Sequence, residues 1–353
     1  MTRRLESLAA VMGRLKKSLP YGLAVLVVLL ATGIAWGQIP VLPVSNILAA
    51  EPTVAMQPMG DGEMLWFGDD EAPVMIRPSQ QTCLSGQPGC PTGAWGEPPR
   101  GPWHCQLLPS SLLYPAYLSA NRESRLAGTW SYDRDHGWLW DVALGGHVGI
   151  VRFGDDHPVT PYGWQIDIEG AAFPRLDMES QRDMMATDYR FGVPLTMRLG
   201  AIEGKLAYYH LSSHLGDDYI FSHGGATPIN YVRDSIVLAV AVRPVQDLRI
   251  YAEADFAVYI NGGSRPWQFQ FGVDWSGMEP DAMFGSPFFA VNGRIRQEVA
   301  YGGAISAQTG WQWRGEDGNL FRLGFLYFNG KSDSCQFFNE HEELMGVGAW
   351  YDF

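Results

Sequence analysis

The stretch WQFQFGVDW at residues 267–275 alternates large apolar side chains with polar or small ones. Phe269 and Phe271 fall on one side of an extended chain, whereas Gln268 and Gln270 fall on the other. Successive side chains of a β-strand point to opposite faces. The alternation is therefore typical of a strand with one apolar and one polar face.

The same period of two recurs along the chain as far as the carboxyl terminus. Several of these segments are ten or more residues long, whereas strands of soluble sheets usually have about five or six. An even number of strands returns the carboxyl end to the side on which the first strand began. The twelve predicted strands cover residues 125–132, 138–153, 162–173, 187–199, 205–215, 230–243, 248–260, 267–276, 289–296, 300–314, 320–329 and 343–353.

Strand length and the placement of aromatic and charged residues distinguish two architectures. A transmembrane barrel needs about 9–11 residues per strand, aromatic girdles at both membrane interfaces and a polar interior. Charged residues recur here on the minority face of the strands, where they would line a wet interior. The predicted fold class is therefore all-β, a transmembrane antiparallel β-barrel of about 12 strands with an irregular amino-terminal segment. An exported soluble β-sandwich, with its apolar faces turned inward, is the alternative.

Composition excludes two other classes of protein. The chain has 353 residues, of which 18% are charged and 46% hydrophobic, and its net charge is −13. This charge argues against nucleic acid as a partner, because there is no basic surplus to neutralise phosphates. Abundant aromatic and aliphatic residues exclude intrinsic disorder over most of the chain.

The amino terminus has the pattern of an export signal. Basic residues precede an apolar run at residues 21–35, which is short of the roughly 20 residues that a spanning helix needs. Small residues at Ala35 and Gly37 indicate cleavage near Gly37-Gln38. We expect residues 1–37 to be a signal peptide and the mature chain to reach the outer membrane.

The segment that follows the signal is irregular. Residues 38–124 are rich in Pro and Gly and lack a sustained period, which indicates a periplasmic segment with a short lead-in, and the barrel domain is then 125–353. Cys83 and Cys90 lie between turn-forming residues, and we expect them to form a disulfide in the oxidising periplasm. The partners of the other two cysteines stay open.

The last strand ends the chain with an aromatic residue. Tyr351 and Phe353 share one face of an alternating segment, and a terminal Phe on such a strand resembles the signal by which outer-membrane barrels are recognised for insertion. The expected partners are therefore the barrel assembly machinery and outer-membrane lipids, with no nucleic acid. The pattern does not indicate an oligomeric state.

Two stretches carry a resemblance to a known family. LLPSSLLYPAYLSANRESRLAGTWSY at residues 107–132 and YYHLSSHLGDDY at residues 208–219 resemble the bacterial domain of unknown function family 1207. The resemblance runs from about residue 105 to 353. It implies an outer-membrane barrel and assigns no activity.

The second stretch also contains the candidate catalytic residues. His210, Ser212 and His214 occupy one face of a strand, where alternate positions are about 6.6–6.8 Å apart. A His-x-Ser pair on a barrel strand resembles outer-membrane phospholipases and lipid A deacylases. The resemblance implies that His210 is the general base and Ser212 the nucleophile. Asn230 is the candidate for the residue that orients the imidazole.

The orientation of this strand affects the hypothesis. We expect Ala207 and Tyr209 on the lipid face, which turns His210 and Ser212 toward the barrel interior. The dyads of the lipid hydrolases lie instead on the lipid-facing surface.

A metal site is a further possibility at the rim of the barrel. His214, Asp217 and Asp218 follow one another closely, and they are the candidate ligands of a divalent cation such as calcium. No other cofactor is expected.

The sequence therefore predicts an outer-membrane barrel with a non-catalytic role, either as a structural envelope protein or as a narrow channel. A lipid esterase of the phospholipase or lipid A deacylase type, which uses His210 and Ser212, is the alternative function. The exported β-sandwich is the third hypothesis.

Overall fold

A computed structural model describes residues 101–157 and 159–353, and twelve of its strands form a closed antiparallel ring. A short additional strand, β1, pairs with one end of β3 on the ring. The ring closes because β3 pairs with both β2 and β4. The strands are β1 (His104–Leu107), β2 (Leu126–Asp133), β3 (Gly137–Gly154), β4 (Gly163–Asp177), β5 (Asp183–Leu199), β6 (Ile202–Leu215), β7 (Val232–Val245), β8 (Leu248–Asn261), β9 (Trp267–Ser276), β10 (Asp281–Arg296), β11 (Gly302–Arg314), β12 (Leu320–Lys331) and β13 (His341–Asp352).

The two faces of the ring differ in polarity as the alternation predicts. Ile166 and Phe271 are exposed on its outer surface, whereas Gln165 and Arg322 are buried in the bore. A sandwich would bury the apolar face instead. The prediction of a twelve-stranded transmembrane barrel is confirmed, and the alternative of a soluble sandwich is wrong.

The strands extend further than the pattern indicated, so several connections are shorter. The ladder between β4 and β5 reaches Asp177 and Asp183, which leaves residues 178–182 as the connection, whereas the predicted strands left residues 174–186 between them. Likewise, β10 begins at Asp281, and its pairing with β11 is irregular between Asp281 and Ser286. The connection between β9 and β10 is therefore only residues 277–280. Apolar and polar residues do not alternate regularly at these strand ends, but the backbone hydrogen bonds of the ladder continue through them.

The inner face of the ring is held together by ion pairs. The buried carboxylate of Glu203 lies 2.6 Å from Arg243, 2.8 Å from Arg249 and 3.9 Å from Arg198. Such charges are stable in a low-dielectric interior only when they are paired. Further pairs in the bore join Glu169 to Arg190, Lys205 to Glu253, Arg233 to Asp255, Arg175 to Glu342 and Arg322 to Asp352.

The bore also holds part of the chain itself. Residues 108–125, which contain most of the predicted lead-in, enter the ring after β1 and fill its centre. Tyr117 is buried there, where its ring stacks on Tyr251 with centroids 3.9 Å apart and its hydroxyl donates to Glu253 at 2.9 Å. We call residues 108–125 the plug.

Two arginines near the carboxyl-terminal end of the plug bind the ring and its loops. Arg122 lies 3.2 Å from the carboxylate of Asp188 and donates a 3.1 Å hydrogen bond to the backbone oxygen of Asp333. Arg125, immediately before β2, lies 3.1 Å from Asp352 near the carboxyl terminus. The plug is therefore an integral part of the barrel core.

Asp333, in the loop between β12 and β13, ties this loop to the plug and the wall. Burial alone would raise the pKa of its carboxyl, but Arg294, Arg296 and Arg122 outweigh that effect and hold the pKa below its usual range. A lowered pKa in the folded state means that this stabilisation is present at neutral pH and is lost on acidification.

The carboxyl-terminal residues end on the outer surface. Phe353 packs edge-on against Tyr351, with ring centroids 5.0 Å apart, and lies over Gly146 of β3. The two aromatic residues are thus available at the end of the last strand, as an insertion signal requires. Their recognition by the assembly machinery stays a prediction.

Several predictions concern residues outside the described ranges. The signal peptide, its cleavage site and the Cys83–Cys90 disulfide all lie there. Within residues 101–157 and 159–353, Cys105 is free and exposed, and Cys335 is free and buried. No helix in this part of the chain is long and apolar enough to cross a membrane.

The faces of β9 can be tested by placing a charge on the outer one. Phe271 lies in the middle of this strand with 48% of its surface exposed. We expect Phe271→Arg to lower the free energy of unfolding by about 2–4 kcal/mol, because a guanidinium near the bilayer midplane loses its hydration. Denaturant titration in lipid vesicles measures this, with Glu316→Arg in the turn between β11 and β12 as the control. Equal stabilities of the two variants would contradict the orientation.

The plug can be tested by its removal. We expect replacement of residues 110–123 by a Gly/Ser linker of equal length to raise the conductance of the barrel in planar bilayers, because the bore loses its filling. The control replaces residues 224–228 in the loop between β6 and β7. Retention of fast migration on unheated gels checks that both variants are folded. An unchanged conductance in the plug variant would show that the bore is blocked even without the plug.

Candidate active site on the lipid-facing surface

The face of β6 determines where the candidate residues point. Its bore side carries Glu203 and Lys205, which are buried and ion-paired. Residues of even number therefore point outward, including the exposed Leu206 and Tyr208. His210, with the same parity, has 45% of its side chain exposed.

The expected inward orientation of His210 and Ser212 is therefore wrong. Ala207 and Tyr209, which were predicted to face lipid, are buried in the bore instead. The strand has large apolar or aromatic residues on both faces, so its centre is ambiguous. Glu203 and Lys205 at its start carry the signal that resolves the ambiguity, because two charged residues of the same parity indicate the polar bore side.

The imidazole of His210 has a carboxylate partner on the next strand. Nδ1 of His210 lies 2.6 Å from Oδ1 of Asp234 on β7, and the two residues are directly opposite in the β6–β7 ladder. Asp234 also points outward, with 26% of its side chain exposed. Asp234, and not the candidate Asn230, is thus the residue that contacts the imidazole.

Asp234 was not among the predicted site residues, although the strand that carries it was predicted at residues 230–243. On β7 it shares the outer face with the exposed residues Ile236 and Leu238. A charged side chain within the membrane that faces lipid is costly and usually functional. Its position among apolar residues of the same parity is the signal that sequence reasoning could have used.

Ser212 lies next to His210 on the outer face of β6. In the ladder it is opposite Tyr189 of β5 on one side and Val232 of β7 on the other. Because Nδ1 of His210 is bound to Asp234, the other ring nitrogen, Nε2, is the one available to a neighbouring hydroxyl. Residues two apart on a strand are about 6.6–6.8 Å apart at Cα, which an imidazole and a serine side chain can span.

The backbone is irregular beside this group. The pairing of β7 with β8 shifts register between Asp234 and Ser235, where Tyr259 and Ala257 are the successive partners. Such a β-bulge increases the local twist and re-aims side chains, and bulges are frequent beside active sites. The bulge therefore marks Asp234 as a position where the wall departs from a regular ladder.

The predicted cation ligands lie further along the chain. His214 follows on the outer face, where its ring meets Tyr189 edge-on with centroids 5.7 Å apart. Asp217 and Asp218 form the first turn of the short helix α1 (Asp217–Ser222). Among the described residues, no three His, Cys, Asp or Glu side chains come together as a metal-binding group. A divalent cation at the rim stays a prediction.

The bore is less suitable as an active site than the outer surface of β6 and β7. Its outer half contains a cavity of about 60 Å³ beside the plug residues Arg122 and Glu123. The charged residues around it are largely paired with one another, as Arg233 is with Asp255 at 2.9 Å. We therefore place the candidate site on the outer surface.

A closed antiparallel ring with an apolar exterior and a charged bore defines the protein as a β-barrel of the outer-membrane type. The model of the family described as Protein of unknown function (DUF1207) matches residues 106–353. The chain belongs to this family. A search of curated proteins gives no match.

Three solved structures are among those to which this chain is similar. The KdgM porin is 9% identical, with a TM-score of 0.39 over 65% of this chain and 98% of its own. Outer membrane phospholipase A from Escherichia coli is 12% identical, with a TM-score of 0.42 over 68% and 91%. The Salmonella typhi phospholipase, solved as a dimer with bound calcium, is 10% identical, with a TM-score of 0.43 over 68% and 92%.

Proposed function

We propose that this barrel is an outer-membrane lipid ester hydrolase in which Asp234, His210 and Ser212 form a catalytic triad. The observation that carries the proposal is the 2.6 Å contact between His210 and Asp234 on the lipid-facing surface, next to a serine of the same face. A nucleophile, a base and a group that orients the base are the parts that acyl transfer requires.

Each residue has a distinct role in the first step. Asp234 accepts a hydrogen bond from Nδ1 of His210, which holds the tautomer whose Nε2 is unprotonated. Nε2 removes the proton of the Ser212 hydroxyl while Oγ attacks the ester carbonyl of the lipid. When the ester C–O bond breaks, the proton passes from Nε2 to the departing alcohol, and the acyl group remains on Ser212.

The second step releases the acyl group. Water attacks the acyl-serine as His210 removes its proton, and the proton returns to Ser212 when the acyl–oxygen bond breaks. The products are a free fatty acid and a deacylated lipid. Asp234 stabilises the imidazolium formed in both steps without itself taking up the proton.

The position of Ser212 supports a lipid substrate. Ser212 lies three positions before β6 ends at Leu215. This end of β6 is at the opposite end of the barrel from the carboxyl terminus, and in outer-membrane barrels that end faces the exterior of the cell. It therefore lies near the boundary between hydrocarbon and headgroups, where acyl esters of membrane lipids are found. The substrates in reach are acyl esters of outer-leaflet lipids, either phospholipids or lipid A.

The filled bore gives less support to a channel. The plug and its ion pairs occupy the centre of the ring, where they narrow the space open to a solute. A structural role in the envelope is compatible with a filled bore. The paired His210 and Asp234 on the outer surface favour catalysis over a purely structural role.

Removal of triad residues tests the proposal. We expect Ser212→Ala and His210→Ala each to lower phospholipid or lipid A deacylation by about 10³-fold or more, because these two residues act as one unit. Asp234→Asn should lower it by about 10²–10⁴-fold, because the amide no longer holds the required tautomer. Fatty acid release from mixed micelles measures all three effects.

The neighbouring serine provides a matched control. Ser213 faces the bore, where its hydroxyl accepts a 3.1 Å hydrogen bond from Gln336, so Ser213→Ala should keep full activity. A fluorophosphonate probe should label the wild-type protein at Ser212 and leave the His210→Ala variant unlabelled. Absence of both labelling and hydrolysis across phospholipid, lipid A and short esters would leave a structural barrel.

A further inference from the structure

We infer that a depression beside His210 holds the acyl chain of the substrate and makes the site selective for long-chain lipids. The depression lies on the outer surface of β3, β4 and β5 and reaches His210 at one end. As a statement about substrate class, this inference rests on the proposed ester hydrolysis.

The depression exists because β4 carries small residues on its outer face. Residues that lie opposite one another on β6, β5 and β4 form two neighbouring rows across the strands. In one row, His210 is opposite Phe191, and Phe191 is opposite Gly170. In the other row, Ser212 is opposite Tyr189, and Tyr189 is opposite Ala172. The two aromatic residues thus stand between the triad and a floor of small side chains.

The far wall of the depression is an apolar residue of β3. Leu144 pairs with Ala172 and is exposed on the outer surface. Neighbouring strands are about 4.7–4.9 Å apart, so the distance from β6 to β3 is about 14 Å. This path is much longer than a butyryl group, and it suits a long acyl chain.

The surroundings determine which occupant fits. The depression faces outward among the exposed residues Leu144, Tyr189 and Phe191, where the surface is in contact with lipid tails. An acyl chain gains little by moving from the bilayer to an apolar wall, but a depression that fixes its path also fixes the ester near Ser212. Such positioning is worth a large factor in rate, because a displacement of about 1 Å can cost roughly 10²-fold.

Filling the depression is structurally feasible at Gly170. A β-carbon at this position would have its nearest neighbours at 3.5 and 4.0 Å, which is ordinary contact. Gly170→Leu would therefore add a side chain to the floor without a clash at its β-carbon, and Ala172→Leu would enlarge the neighbouring side chain. Ala252 on β8 is also an exposed residue of the outer face, so Ala252→Leu is the matched control.

The experiment compares a long and a short ester. We expect wild-type protein to hydrolyse p-nitrophenyl palmitate with a higher kcat/KM than p-nitrophenyl butyrate. Gly170→Leu and Ala172→Leu should each lower the ratio of the two values at least tenfold, because only the long chain needs the depression. Ala252→Leu should leave the ratio unchanged. A ratio unaffected by Gly170→Leu, in a protein whose hydrolysis depends on Ser212, would overturn the inference.

A binding measurement separates this inference from the proposed function. Ser212→Ala protein is reconstituted with a phospholipid that carries a photoreactive diazirine in its acyl chain, and cross-linked residues are mapped by mass spectrometry. We expect cross-links to concentrate at Ala172, Tyr189 and Leu144 relative to the outer face of β8, and Gly170→Leu to remove that excess. An even distribution over the outer surface would overturn the inference, whether or not the wild-type protein hydrolyses esters.

Discussion

The need to pair every backbone amide inside a membrane determines the rest of this structure. Hydrocarbon supplies no hydrogen-bond partners, so a sheet can span it only as a closed ring. The pairing of β3 with β4 completes that ring. Once the ring is closed, the period of two sends each side chain either to lipid or to the bore. Glu203 and Lys205 therefore point inward, and Leu206 and Tyr208 point outward.

The inward charges hold the bore together as a core of ion pairs. Glu203 is surrounded by three arginines, and removal of one member of a buried pair typically costs about 3–5 kcal/mol. The plug completes this core, since Tyr117 and Arg125 bind groups on opposite walls of the ring. A chain segment bound in this way belongs to the folded state of the barrel.

Alternation made the twelve strands and the polar bore predictable, because the signal repeats many times and single errors do not change it. The face of β6 depended on a few residues. Tyr208 and Tyr209 are both large and aromatic, and Glu203, whose parity marks the bore side, lies before the predicted start of the strand at residue 205. Asp234 could not be paired with His210 from either strand alone, because the register between strands depends on ladder geometry and on the bulge after Asp234. The plug was missed because the lead-in has no period.

The outward orientation changes the meaning of the histidine. In the bore, His210 would be one more polar group among many that are hydrated or ion-paired. On the lipid face, an imidazole and a carboxylate lose hydration, and a carboxylate there costs free energy that an apolar residue would not. The hydrogen bond between His210 and Asp234 offsets part of that cost and also restricts the imidazole, whose strand carries Ser212 two residues further on. Structural stability alone would be served better by apolar residues at both positions, whereas acyl transfer requires this pair beside a hydroxyl.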